Sequence, residues 1–264
     1  MDILGAAKVS RKFENRVAVI TGAAQSIGYA CAAALGREGA QVVIADINIE
    51  KAEQAAATLQ ADGIKAAAFS MDVRDPQQVQ TVVDEVVSRY KRLDIWVNNA
   101  GVAHHYDSFD LPPEMWKGGM DVLLSGAFYG CQAAGRVMRD QGGGSIINMA
   151  SVNGLVSQPR RAVYATAKAG LIMLTRVLAA EWAAHHIRVN AVAPSPVGTS
   201  GMADFGQTQG FAPGNIYVDR HPMKRMAEMR EVVEAVLFLA GDESAFITGE
   251  TLCVDGGWVA YGSL

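Results

Sequence analysis

Cysteine is scarce in this chain, with three in 264 residues. Cys31, Cys131 and Cys253 are odd in number and far apart. With no CxxC pair and no Cys/His cluster, the spacing excludes a disulfide framework and a zinc site, and no metal is expected. The apolar or small-residue surroundings of each predict buried, inert thiols. An excess of positive charge is also missing. The formal net charge is −4, which excludes nucleic acid and an anionic membrane as expected partners. No apolar run reaches the roughly 18 residues of a membrane span. The first ten residues, with Asp2 and Lys8, lack the apolar core of a signal peptide, so a cytoplasmic location is expected. No internal repeat, low-complexity tract or Pro/Ser-rich linker divides the chain, and one domain over 1–264 is expected. What is present is apolar: half the residues are hydrophobic, enough for a sizeable core, with 27 glycines among the rest.

The apolar residues fall into short runs separated by helical stretches. Val17 to Ile20 ends in Thr21-Gly22, and an Ala-rich helical pattern follows from Ile27 to Arg37. Gln41 to Ala45 is a second run, after which Asn48 suits the cap of a helix reaching about Ala61. Lys65 to Ser70 is a third. Asp75-Pro76 opens another helix, with Pro at the first position, where its missing N–H costs nothing. Leu93 to Val97, Ser145 to Met149, Ile187 to Val192 and Thr251 to Val254 complete about seven strands, the last after a helix from Glu228 to Leu239. Strands alternating with helices predict a parallel sheet covered on both faces. Pro194 to Met223 is too long for an ordinary connection and reads as a lid or binding loop.

Two places carry chemistry. Gly22 to Gly28, including Gln25, Ser26 and Ile27, lies between a strand and a helix. Small residues there let the backbone approach a pyrophosphate, and the helix start offers free N–H groups. Asp46 ends the second strand at the position of an acid that holds an adenosine ribose. A carboxylate there repels a 2′-phosphate, and neither 45, 47 nor 48 is basic, so NAD is favoured over NADP. Taken alone, Asp46 reads equally well as a surface acid. The second place is Tyr164-Ala165-Thr166-Ala167-Lys168, which puts Tyr164 and Lys168 on one helix face, downstream of Ser151. By itself that spacing also fits an ordinary amphipathic helix.

Further pieces stand in order along the chain: Asp72-Val73, Asn98-Asn99-Ala100-Gly101, Arg188 to Pro194, Ile247-Thr248-Gly249 and Val254-Asp255-Gly256-Gly257. Together with the glycine turn, Ser151 and Tyr164-x-x-x-Lys168, they resemble the short-chain dehydrogenase/reductase family over nearly the whole chain. The resemblance implies a single-domain, Rossmann-type, doubly wound parallel sheet and oxidation of a secondary alcohol (sugar, polyol or hydroxy acid) with NAD. Tyr164 would be the general base, Ser151 would hold the substrate oxygen, and Lys168 would bind the nicotinamide ribose and lower the Tyr164 pKa. A phenol near pKa 10 is a poor base at neutral pH, and a cation about 4 Å away contributes on the order of 4 kcal/mol at an effective dielectric near 20. Asp72 and Val73 would contact adenine, Asn99, Ala100 and Gly101 would line the cofactor groove, and Pro194, Val197 and Thr199 would meet the nicotinamide. A small-molecule substrate and a homo-oligomer, tetramer or dimer, built on helices around 114–139 and 161–185 are implied as well.

The chain departs from the family pattern at three positions. Ser26 replaces the middle glycine of the turn, Ser195 stands where Gly is frequent, and Leu123 stands where an Asn usually supports a proton path beyond the lysine. Asn153, Arg161 and His104 are the substrate candidates; the polar residues around them suit a hydroxylated or anionic substrate. Two alternatives stay open. One is a carbonyl reductase resembling 3-oxoacyl carrier-protein reductase, against which Gln25 and Asp46 argue. The other is a weakly active NAD-binding regulatory protein, which Leu123 favours.

Overall fold

The seven apolar runs pair into one sheet in which the five inner strands are buried almost throughout, as a parallel sheet under two helical layers requires, while the edge strands are partly exposed. The computed structural model describes residues 11–103, 105–198 and 213–261; His104 and Thr199 lie outside them. The strands are β1 (Val17–Thr21), β2 (Gln41–Asp46), β3 (Ala66–Ser70), β4 (Ile95–Asn98), β5 (Gly144–Met149), β6 (Ile187–Pro194) and β7 (Thr251–Val254). Their order is β3-β2-β1-β4-β5-β6-β7, all parallel. The order reverses between β1 and β4, which opens a crevice beyond the carboxyl ends of those strands.

The helices are α1 (Ser26–Arg37), α2 (Ile49–Ala61), α3 (Pro76–Tyr90), α4 (Pro113–Met120), α5 (Gly126–Gln141), α6 (Ala162–Trp182), α7 (Pro213–Arg220) and α8 (Met229–Ala240). Their starts follow local chemistry. Asn48 Oδ1 accepts from the Lys51 amide at 3.0 Å, and Asp75 Oδ1 accepts from the Gln77 amide at 2.9 Å with Pro76 at the first position. Each such cap is worth about 1 kcal/mol. Ser145 and Arg188 tie β5 and β6 to the end of α8, both donating to the Leu239 carbonyl.

One helical layer packs α1, α2 and α8 on the sheet; the other packs α3, α5 and α6. Each fully buried Val, Ile or Leu there contributes roughly 1.5–3 kcal/mol. The second layer also holds a polar chain. Trp96 Nε1 donates to Asn98 Oδ1 at 2.7 Å, Asn98 Nδ2 donates to Asn148 Oδ1 at 2.8 Å, and Asn148 Nδ2 donates to Thr175 Oγ1 at 2.9 Å. Satisfied in this way, the buried amides fix how β4, β5 and α6 sit together.

Three expectations change. Cys31 and Cys131 are buried, and burial raises both thiols to about 12, but Cys253 is exposed. Its strand, β7, is the sheet edge, which a run of apolar letters does not reveal. The 194–223 segment is not wholly irregular, because α7 forms within it. The stretch Ala162–His185 is long and apolar enough by composition to cross a membrane, although no uninterrupted apolar run of that length exists. It packs against β5 and β6 and buries Lys168 and Thr175.

Candidate active site

A cleft of about 810 Å³ runs along the carboxyl ends of the strands. Its floor at one end is the β1–α1 turn. Gly22 has φ +61°, and a Cβ there would lie 2.7 Å from Ala100 Cα, so the turn requires glycine. Gly28 is as tightly placed: a Cβ would meet Asn99 Nδ2 at 2.5 Å. Asn99 closes this junction by donating to the Thr21 and Gly22 carbonyls at 2.9 and 3.0 Å. Gly28 thus packs behind the turn, while Gly22, Gln25, Ser26 and Ile27 line the cleft. Gln25, the residue before helix α1, makes no side-chain cap, which leaves the first N–H groups of the helix for a ligand in the cleft. Ser26 has φ 55°, the left-handed region in which the usual glycine is unstrained.

Asp46 lines the same end of the cleft. Its carboxylate accepts from the Ala24 amide at 3.1 Å and the Asn48 amide at 3.0 Å, so it also anchors the turn. The sequence around it shows no adjacent cation, yet Lys51, one helical turn beyond the Asn48 cap, lines the cleft beside it. The i, i+3 geometry from Asn48 was the available signal. Asp72 and Val73 line this end too. Asp72 is paired with Arg74 at 2.5 Å, and that hydrogen bond holds its carboxyl below the usual range.

Asn99, Ala100, Gly101, Pro194 and Val197 line the middle. Val197 is fixed by a bridge to Ala227. Leu123 faces this region from a π-helical turn, Asp121–Ser125, that joins α4 to α5; its side chain is 2 % exposed and packs beside Gly101.

The far end brings together Ser151, at the end of β5, with Tyr164 and Lys168 from α6. Ser151 Oγ accepts from the Asn153 amide at 3.2 Å, which orients it. Lys168 is buried and donates to the Met149 carbonyl at 2.5 Å. Burial pulls its pKa down to about 8. Its Nζ lies 5.6 Å from the Tyr164 ring centre.

Burial raises the Tyr164 phenol above its ordinary pKa, and the Ser151 side chain and the charge of Arg161 pull it back. The Arg161 guanidinium lies 5.5 Å from the ring centre, and Tyr217 of α7 lines the same cleft and acts on its charge. Arg161 and Asn153 both line the cleft, and Asn153 Nδ2 donates to Gln158 Oε1 at 3.2 Å. Nothing in the sequence pointed to Tyr217, because the contact spans two distant segments.

A family model described as enoyl-(acyl carrier protein) reductase matches residues 22–259. The chain is 37% identical over 248 residues to the D-threitol dehydrogenase of Mycolicibacterium smegmatis, covering 94% of each. Among solved structures it is similar to an NAD+-bound xylitol dehydrogenase, with TM-score 0.88 and 32% identity over 93% of this chain and 100% of that one. It is also similar to a gluconate 5-dehydrogenase from Burkholderia cenocepacia in complex with NADP and tartrate, with TM-score 0.89 and 34% identity over 96% and 100%. With the parallel sheet, the glycine turn and the Ser151–Tyr164–Lys168 cluster in one cleft, these matches show that the chain belongs to the short-chain dehydrogenase/reductase family.

Proposed function

We propose that the chain is an NAD-dependent oxidoreductase that moves a hydride between a secondary alcohol (sugar, polyol or hydroxy acid) and its nicotinamide, and that residues 1–264 act as one catalytic domain. The observation that carries this reading is that Ser151, Tyr164 and the buried cation Lys168 line one end of a single cleft. The relatives named as threitol, xylitol and gluconate dehydrogenases support the substrate class.

The cleft residues fit a dinucleotide. The uncapped start of α1 and the Gly22 turn suit a pyrophosphate, Asp46 suits the adenosine ribose hydroxyls, and Asp72 and Val73 suit adenine. Asn99, Ala100, Gly101, Pro194 and Val197 would form the wall toward the nicotinamide, together with Thr199. When bound, the nicotinamide supplies the hydride acceptor. Tyr164 takes the hydroxyl proton at Oη, Ser151 holds the same substrate oxygen, and Lys168 binds the nicotinamide ribose. Asn153, Arg161 and His104 are assigned to the substrate. The exposed Phe128 on α5 and Met173 and Val177 on α6 support a homo-oligomer built on those helices.

The test is NADH formation across polyols, sugars, hydroxy acids and cyclohexanol, with NAD and NADP side by side, for the wild type and Tyr164→Phe. Turnover with NAD that falls at least about 1000-fold in Tyr164→Phe is expected. Tight NAD binding without turnover of any alcohol would instead favour a regulatory role.

A further inference from the structure

At the catalytic end of the cleft the described lining residues include two cations, Arg161 and Lys168, and no carboxylate; the lining acids, Asp46 and Asp72, belong to the adenosine end. Lys168 is held on the Met149 carbonyl beneath Tyr164. Arg161 is the cation that faces the remaining space. It is the residue just before α6, three before Tyr164 and directly after Arg160, whose φ of 65° turns the chain toward the helix. The guanidinium lies over the Tyr164 ring at 5.5 Å, with Tyr217 in the same cleft lining. Its planar fork of N–H groups matches an oxyanion bidentately, which an ammonium does not.

We propose that Arg161 forms an anion subsite and that the substrate is a secondary alcohol carrying a carboxylate or similar oxyanion a few bonds from its carbinol carbon. The inference rests on the oxidoreductase reading above and narrows its substrate class to hydroxy acids. The local field agrees with it. His105 is held neutral, with its pKa pulled down to about 4 by burial and by the charges of Arg161 and Arg160. The corner therefore presents positive charge without titrating near neutrality, and a carboxylate is attracted at every working pH. Asn153 and Gln158, joined to each other on the adjoining wall, are placed to take the hydroxyls of a polyhydroxy acid.

The experiment compares kcat/KM for gluconate and glycerate with that for xylitol and cyclohexanol, on the alkaline plateau of the pH profile, in wild type, Arg161→Gln and Arg161→Lys. The wild type is expected to prefer the acids. Arg161→Gln should lose about 100-fold more on the acids than on the neutral alcohols, the excess falling mainly in KM, with Arg161→Lys recovering part of that excess. A merely structural Arg161 would lower both classes together, and that result, or a wild-type preference for neutral alcohols, overturns the proposal while leaving the oxidoreductase reading intact. No NADH from either class overturns the oxidoreductase reading instead. The subsite is then decided by calorimetry with malonate, whose binding to wild type but not to Arg161→Gln supports it and whose failure to bind either overturns it.

Discussion

His221 Nε2 lies 2.7 Å from Ser195 Oγ, and both side chains are buried. The other ring nitrogen, Nδ1, sits 2.6 Å from the Tyr217 carbonyl, which can only accept. A neutral His221 must therefore carry its proton on Nδ1, and Ser195 donates its hydroxyl proton to Nε2. This ties the cleft wall after β6 to α7, with Trp258 packed edge-on against the imidazole at 4.9 Å.

Ser195→Gly restores a residue frequent in the family but leaves the Nε2 acceptor buried without its donor. The expected cost is about 1–3 kcal/mol. At roughly 2–4 °C per kcal/mol for a chain of this size, differential scanning fluorimetry should show a clear fall in Tm. A variant as stable as the wild type would mean the bond contributes nothing to α7.

The phenol of Tyr164 sets the second expectation. Its pKa is raised by burial and lowered by Ser151 and by the Arg161 charge. With the phenolate as the proposed base, alcohol oxidation should rise with pH as the phenol ionises. Removing a nearby positive charge makes that ionisation harder. Arg161→Gln should therefore move the rising limb of the kcat profile for a neutral alcohol to higher pH, and Ser151→Ala should do the same. An unmoved limb in both would show that another group titrates.

Lys168 should also mark the pH dependence of stability. Its folded pKa is about 8, depressed by burial, whereas in the unfolded chain it is near 10.4. Between these values the unfolded state binds more protons, so stability rises with pH across that window. Below about pH 8 the full penalty, on the order of 3 kcal/mol, is present. In Lys168→Met this rise should vanish. Chemical denaturation at pH 7.5 and 10 for both proteins checks it, and parallel pH slopes would refute the depressed pKa.

Cofactor choice gives a fourth expectation. Asp46 and Lys51 share the adenosine end of the cleft. With Asp46 present, a 2′-phosphate meets a carboxylate; in Asp46→Ser it meets Lys51. The ratio of kcat/KM for NADP over NAD should rise by about 100-fold or more, since like-charge juxtaposition costs several kcal/mol. Adding Lys51→Ala should reverse most of the gain. Some loss of stability should accompany Asp46→Ser, because the carboxylate also holds the Ala24 amide.

Much of this protein is legible in local pattern. The strands and helices, the Asn48 and Asp75 caps, the glycine turn and the shared face of Tyr164 and Lys168 follow from periods of a few residues and from the chemistry of single side chains. What such patterns cannot carry is the meeting of segments distant along the chain. Only the tertiary structure brought Arg161 into one cleft with Tyr164 and Tyr217, joined His221 to Ser195, and left Cys253 exposed on the edge strand. It also added a second charge at Tyr164, that of Arg161. Four-residue spacing fixes which face Lys168 shares, but its partner, Met149, belongs to β5, and the charge acting on the phenol comes from the loop before α6. Register along a helix is encoded locally; electrostatics depends on distance through space and on burial, which the folded packing alone decides.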